Sequence, residues 1–217
     1  MDNDRAGFVC DRCESRVPFV DPPFCYQCAL PFAGTVTDPF VCGYCREMEF
    51  AFERTVCGCK AVGIARDCLH RFKYKRQPHV GPHLADWLVR SVSRWISASD
   101  LDLIVPVPLY PRKKREREFN QSEYLAAALG RSFGIRVSTG NLVRVRDTPT
   151  QTHLDAAARA ENMRDAFALR RAGEFDGLRV AVLDDVFTTG ATIDSCARLL
   201  AQAGARQVAA VAFARGI

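Results

Sequence analysis

Residues 180–192 set two adjacent acids, Asp184 and Asp185, at the end of an apolar run and follow them with Val186-Phe187-Thr188-Thr189-Gly190-Ala191-Thr192. A buried strand ending in acids, a short Gly/Thr turn and then a helix form a device for holding a phosphorylated sugar. Backbone N–H groups of the turn and of the first helical turn converge on one concavity, where the helix dipole also favours negative charge. Gly190 lets the backbone approach without a Cβ. The threonine hydroxyls add short-range donors, and the carboxylates can accept from vicinal hydroxyls. An ordinary strand-to-helix turn capped by Asp and Thr uses the same residue types. Adjacent acids at a buried strand end fit that alternative less well, because an unpaired buried carboxylate is costly.

A second constellation is made of thiols. Nine of the ten cysteines fall within the first 68 residues. Cys25-x-x-Cys28 and Cys42-x-x-Cys45 are 13 residues apart, a spacing that can set four thiolates at the corners of a tetrahedron about 2.3 Å from Zn²⁺. Buried free thiols would not require paired spacing. Cys10-x-x-Cys13 is a third pair, and a second zinc would need two more ligands. Either Cys57 and Cys59 supply them, or Cys10, Cys13, Cys25 and Cys28 share one metal; spacing does not separate these, and the first is preferred. Such closed sulfur sites are structural. Cys68 and Cys196 sit on apolar helix faces and read as core.

The elements that must position these groups follow from periodicity. Residues 8–50 have few large aliphatics and several Pro/Gly turns, so this head needs a metal staple. Ala65, Cys68, Leu69 and Phe72 recur at helical spacing, as do Leu84, Trp87, Leu88, Val92, Trp95 and Ile96. Leu101–Val107 reads as a buried strand. A helix capped by Asn120 follows, with Glu123 in capping-box position, Leu125, Leu129 and Phe133 inward, and Gly134 at its end. Leu142–Val145 and Arg179–Leu183 are further strands, and Leu154–Phe167 reads as a charged helix. The turn at Gly190 leads into a helix with Ile193, Cys196, Ala197, Leu200 and Ala203 on one face, and Gln207–Ala214 is the last strand. Strands alternating with helices imply a parallel sheet flanked by helices. The division expected is a zinc-ribbon head over 1–56 and an α/β domain over 57–217.

Charge is unevenly placed. Residues 1–60 hold six Lys/Arg against nine Asp/Glu, whereas the whole chain carries +5. The surplus lies mainly in Lys73–Arg76 and Arg112–Arg117, which read either as solvated faces or as surfaces meeting phosphate. The acidic N-terminus and the lack of an apolar run near the ~20 residues of a membrane span predict a cytoplasmic protein without membrane insertion.

The stretch Val182–Thr192 resembles the PRPP-binding motif of type I phosphoribosyltransferases (PRPP, phosphoribosyl pyrophosphate). Val105-Pro106-Val107-Pro108-Leu109, the basic run to Arg117, Phe119-Asn120-Gln121, Phe72-Lys73-Tyr74, and Gln151, Leu154, Arg159, Asn162 and Phe167 resemble the ComF family, associated with competence and DNA uptake in bacteria. The resemblance spans nearly the whole chain. It implies a type I phosphoribosyltransferase fold behind a small zinc ribbon, and activity with PRPP and Mg²⁺. Asp184 and Asp185 would contact the ribose hydroxyls, and Thr188, Thr189, Gly190, Ala191 and Thr192 the 5-phosphate. Arg112, Lys113, Arg115 and Arg117 would form the pyrophosphate loop, with Arg117 joining the two acids as catalytic. Gln151 and Arg159 would belong to a hood over PRPP. Hypoxanthine-guanine enzymes of that superfamily carry an acid where Thr188 stands, which argues against 6-oxopurine salvage.

Three positions depart from the family pattern: Glu118 stands where Gly is usual, Cys59 where an aromatic is common, and one further Cys-x-x-Cys often precedes those present. Two readings follow. One is a phosphoribosyltransferase. The other is a non-catalytic sensor of PRPP or a nucleotide that handles single-stranded DNA through its basic runs and Phe72, Tyr74, Tyr110 and Phe119, with competence or DNA-processing proteins as partners.

Overall fold

The computed structural model describes residues 9–36, 39–74, 77–147 and 165–217. Gln151, Leu154, Arg159 and Asn162 lie outside the described residues, as does nearly all of the helix expected over Leu154–Phe167. Phe167, its last residue, belongs instead to a strand.

Five strands form one parallel sheet. In chain order they are β1 (Thr55–Lys60), β2 (Leu103–Pro106), β3 (Arg136–Val137), β6 (Arg179–Phe187) and β7 (Gln207–Arg215). Their spatial order is β1-β7-β6-β2-β3. β6 is therefore central, in register with β7 from Arg179↔Gln207 to Phe187↔Arg215 and with β2 through Pro106↔Leu183. β4 (Leu142–Arg144) and β5 (Phe167–Leu169) form a separate antiparallel ribbon.

Strand alternation divides the core into two layers. On one face Ile104, Ala181, Leu183, Val211 and Phe213 pack with α3 (Gly63–Tyr74), α4 (Gly81–Val92) and α6 (Gln121–Phe133). The buried positions of α3 are those the spacing indicates: Ala65, Cys68, Leu69 and Phe72. α4 ends at Val92, so Trp95 lies beyond it; it is half-buried against Phe24. On the opposite face Val105, Val182, Val208 and Ala210 pack with α7 (Ala191–Gln202), and Cys25, Cys28, Cys45 and Phe52 of the N-terminal segment join the same cluster. The cysteine head thus shares a core with the sheet.

β1 is the main element that spacing does not indicate. Cys57 and Cys59, expected as metal ligands, lie inside it and pair with Ala212 and Ala214 of β7. Both are buried, and burial pushes the Cys57 thiol up to about 12 and Cys59 further up. They are sheet core residues.

The basic run also takes a form of its own. Pro111–Arg117 is a helix, α5, opened by a proline in its first turn and closed by Glu118 at φ 71°. A left-handed non-glycine residue costs roughly 1–2 kcal/mol, whereas glycine costs about 0.5–1 kcal/mol in lost entropy. Glu118→Gly is therefore expected to stabilise the fold by up to about 1 kcal/mol, a rise of roughly 2–4 °C in midpoint for a chain of this size, measured by thermal unfolding. An unchanged or lower midpoint would contradict it.

Candidate phosphate-binding site and metal centre

β6 outruns β2 after Leu183 while staying paired with β7 to Phe187, so Asp184 and Asp185 are open on the β2 side and partly buried. Each is met by a group from the α3/α6 layer. Ser122 Oγ donates to Asp184 Oδ1 at 3.0 Å, and the Asp185 N–H donates to the same oxygen at 2.8 Å. Lys73 Nζ, from the last turn of α3, sits 2.8 Å from Asp185 Oδ1, with only 15% of its side chain exposed. Ser122 is fixed by the helix start. Asn120 caps α6 by accepting from the Ser122 N–H at 3.0 Å and donates its Nδ2 to the Val107 carbonyl at 2.9 Å. Glu123 does not close a capping box; it pairs with Lys114 at 2.9 Å.

Burial, then the neighbouring Asp185 charge, raises the Asp184 carboxyl to about 6, against the pull of the Asp185 N–H, Lys73 and Ser122. Lys73 thus fills a role that spacing does not reveal, because its partner is distant in sequence. The available hint is a lysine directly after the buried Phe72, where its stem must run along the sheet's end.

The turn beyond the acids is shaped by Gly190, at φ 86°, which precedes α7. A Cβ there would come within 2.8 Å of the Phe187 ring and 3.2 Å of Phe50. The turn therefore requires glycine both for its dihedral and for space. Asp194, in the first turn of α7, is directed away from this turn: its carboxylate accepts from the Ala51 N–H at 2.7 Å and pairs with Arg198 at 2.8 Å.

Of the four cations expected near pyrophosphate, Arg117 is the one that reaches the acid side. It donates to Tyr74 Oη and to Gln121 Oε1, each at 3.2 Å, and lies 4.9 Å over the Tyr74 ring, one residue from Lys73. Arg112 pairs with Glu116 along α5, and Lys113 is 3.9 Å from Asp147. Arg115 is exposed and borders a cleft of about 850 Å³ between α5 and β4, to which Lys114, Arg144 and Arg170 also contribute.

The thiols resolve into one cluster. The sulfurs of Cys25, Cys28, Cys42 and Cys45 all lie within 4.8 Å of one another, and this is the single such group among the described residues. Cys28 Sγ and Cys42 Sγ are 3.8 Å apart, the edge length of a tetrahedron with Zn–S bonds of about 2.3 Å. The Cys42 N–H donates to Cys25 Sγ at 3.3 Å, as expected for a thiolate knuckle. The residues fit a structural zinc. The second set is not assembled: Cys10 is exposed just before α1 (Asp11–Glu14), and Cys57 and Cys59 are committed to β1. The alternative that joins Cys10 and Cys13 to Cys25 and Cys28 also fails, since Cys42 and Cys45 complete that group.

Comparison with known proteins decides the lineage. The chain is 35% identical over 187 residues to the "DNA utilization protein YhgH" of Salmonella typhi, covering 85% of this chain and 80% of the relative. It is 29% identical over 211 residues to "Competence protein F" of Haemophilus influenzae, covering 95% and 90%. The chain belongs to the ComF family. A further ComF relative, "Competence protein ComFC" of Bacillus subtilis, matches over 47% of this chain and 39% of its own, at 29% identity. No protein-family model matches. Among solved structures, the glutamine PRPP amidotransferase of B. subtilis is 21% identical with a TM-score of 0.44, covering 66% of this chain and 30% of that one. Adenine phosphoribosyltransferase of Leishmania tarentolae is 20% identical with a TM-score of 0.38, covering 62% and 56%. Scores of this size carry no argument about substrate. The architecture, a parallel sheet flanked by helices, rests on the strand order given above.

Two outcomes follow for this ComF protein. Metal analysis should return one zinc per chain, lost in Cys28→Ser and retained in Cys57→Ser; two equivalents, or loss in the second variant, would contradict the single cluster. The raised carboxyl of Asp184 means that the folded chain takes up this proton more readily than the unfolded one. Its contribution to stability is therefore fullest below the ordinary value of 3.8 and is lost as pH rises through about 6. Asp184→Asn should gain on the order of 1 kcal/mol over the parent at pH 8 and nothing at pH 4, read from paired urea titrations.

Proposed function

We propose that this ComF protein binds PRPP at the junction of β6 and α7, with Mg²⁺, and acts in the cytoplasm on the handling of incoming DNA. The observation that carries the reading is the pairing of Asp184 and Asp185 with a turn that admits only glycine at 190. The turn over Thr188–Thr192 offers amides and hydroxyls to a 5-phosphate at the start of a twelve-residue helix. The acids accept from the ribose 2- and 3-hydroxyls. Mg²⁺ suits one or two carboxylates together with substrate phosphates, and would neutralise charge on the departing pyrophosphate. Arg117 is the cation best set to meet that pyrophosphate, with Arg112, Lys113 and Arg115 along α5. Transfer breaks the bond from C1 to pyrophosphate and forms one to an acceptor.

The names of the relatives favour a second reading alongside the first. YhgH is named for DNA utilization and its ComF counterparts for competence. α5 presents Arg112, Lys114 and Arg115 to solvent, with Tyr110 at its start, which suits the backbone of single-stranded DNA. In this reading PRPP is a signal, and competence or DNA-processing proteins are the partners. Among the described residues no helix is long and apolar enough to cross a membrane.

Calorimetric titration with PRPP and Mg²⁺ should show saturable binding, weakened at least ~10-fold in Gly190→Ala, since ~1.4 kcal/mol is a factor of ten. Affinity should fall as pH drops below about 6, where Asp184 takes up its proton. Lys73→Met should move that midpoint upward, because Lys73 helps hold the acid ionised. Pyrophosphate release with a panel of acceptors, followed by phosphorus NMR, separates transferase from sensor. Oligonucleotide affinity that collapses with rising salt supports the DNA reading. Absence of any heat with PRPP would end the first reading.

A further inference from the structure

Arg215, the last residue of β7, is 7% exposed and opposes Phe187 in the sheet. Its guanidinium has no carboxylate within ion-pair distance among the described residues. Nε donates to the Cys28 carbonyl at 2.7 Å, and Nη2 lies 3.8 Å from Cys28 Sγ. Nη1 donates to the Phe187 carbonyl at 3.3 Å and to the Gly216 carbonyl. The plane sits 5.3 Å over the Phe187 ring. A buried cation needs a counter-charge. The cysteine cluster is the group in reach that can supply one, because four thiolates around a divalent ion leave a net charge of about −2.

The same guanidinium is therefore held between the metal centre and the residue that opens the phosphate turn. Phe187 links both ends: its carbonyl receives Arg215 and the Gly216 N–H (2.8 Å), while its ring closes on Gly190. Two further contacts run in parallel. Tyr44, between Cys42 and Cys45, donates its hydroxyl to the Thr189 carbonyl at 3.5 Å. Downstream of Cys45, Phe50 abuts Gly190, and the Ala51 N–H holds Asp194 in the first turn of α7. The metal knuckle and the strap that follows it form the back wall of the turn.

We infer that Arg215 is a positioning residue that transmits metal occupancy to the phosphate turn: metal in the cysteine cluster orders residues 187–194, and an anion bound there in turn retains the metal. The reciprocal half follows from linkage, since a ligand favouring the ordered turn must favour the metal by the same factor. This second half rests on the proposed PRPP site; the first does not.

Hydrogen exchange on the full chain tests the first half without any sugar phosphate. Removing zinc with a chelator should speed exchange of amides 188–194 at least ~10-fold, while amides of β2 and α6 stay protected. Zinc-loaded Arg215→Met should exchange in that segment as the metal-free parent does, and Arg215→Lys, which keeps the charge, should recover part of the protection. If Arg215→Met does not fold, Tyr44→Phe removes one tether from an exposed position and should speed exchange of the same segment ~2–3-fold with zinc retained. In the cobalt-loaded protein, PRPP with Mg²⁺ should shift the thiolate-to-cobalt absorption band in the parent and leave it unmoved in Arg215→Met. Unchanged exchange of 188–194 on zinc removal would overturn the inference, as would a band shift that survives Arg215→Met. No PRPP binding together with zinc-dependent exchange would remove the ligand reading and leave the role of Arg215 standing.

Discussion

A strand paired on both edges has little room for a carboxylate until one of its neighbours ends. β6 is such a strand as far as Leu183, where it outruns β2 on two consecutive acids while staying paired with β7 to Phe187. The surrounding structure accommodates them. Lys73 lies in the last turn of α3, Ser122 in the first turn of α6, and Asn120 braces that start against Val107 just past β2. Three elements from separate parts of the chain thus terminate at one spot because two charges must be held in a low-dielectric setting. The compensation is incomplete, which is why Asp184 remains reluctant to ionise. Charge that is only partly offset before a ligand arrives is a common condition of binding sites.

The head and the sheet answer a different physical need. A segment with so few aliphatics cannot close a core of its own. It completes one face of the sheet instead: Cys25, Cys28, Cys45 and Phe52 join Val182, Ala210 and the inner side of α7. The tetrahedral cysteine group fixes the local backbone, and the sheet supplies the apolar area. Arg215 stands at the seam, a cation whose partners are carbonyls and sulfur.

Much of this arrangement is legible in the residues. The strand Leu103–Pro106, the faces of α3, α6 and α7, and the cluster of Cys25, Cys28, Cys42 and Cys45 follow from periodicity and spacing, since those patterns are local. What is not legible is set by distant contacts. Thr55–Lys60 opens on two strand-favouring residues, but a glycine and two cysteines at ligand-like spacing mask that signal; β7 offers it the edge it pairs with. The basic run coils into α5 because Pro111 starts a helix that nothing interrupts before Glu118. Lys73, Tyr44 and Arg215 acquire their roles from partners 112, 145 and 187 residues away, for Asp185, Thr189 and Cys28 respectively, which no window along the chain can contain.

The two cysteines absorbed into β1 have a bearing on how this chain reports on itself. A thiol reacts with alkylating reagents as its thiolate, and burial beneath β7 keeps Cys57 and Cys59 protonated and screened. They stay silent while the sheet is intact and become labelled once its outermost strand peels away. The native sequence thus carries its own chemical gauge of edge fraying, placed on the side of the sheet opposite the short β3.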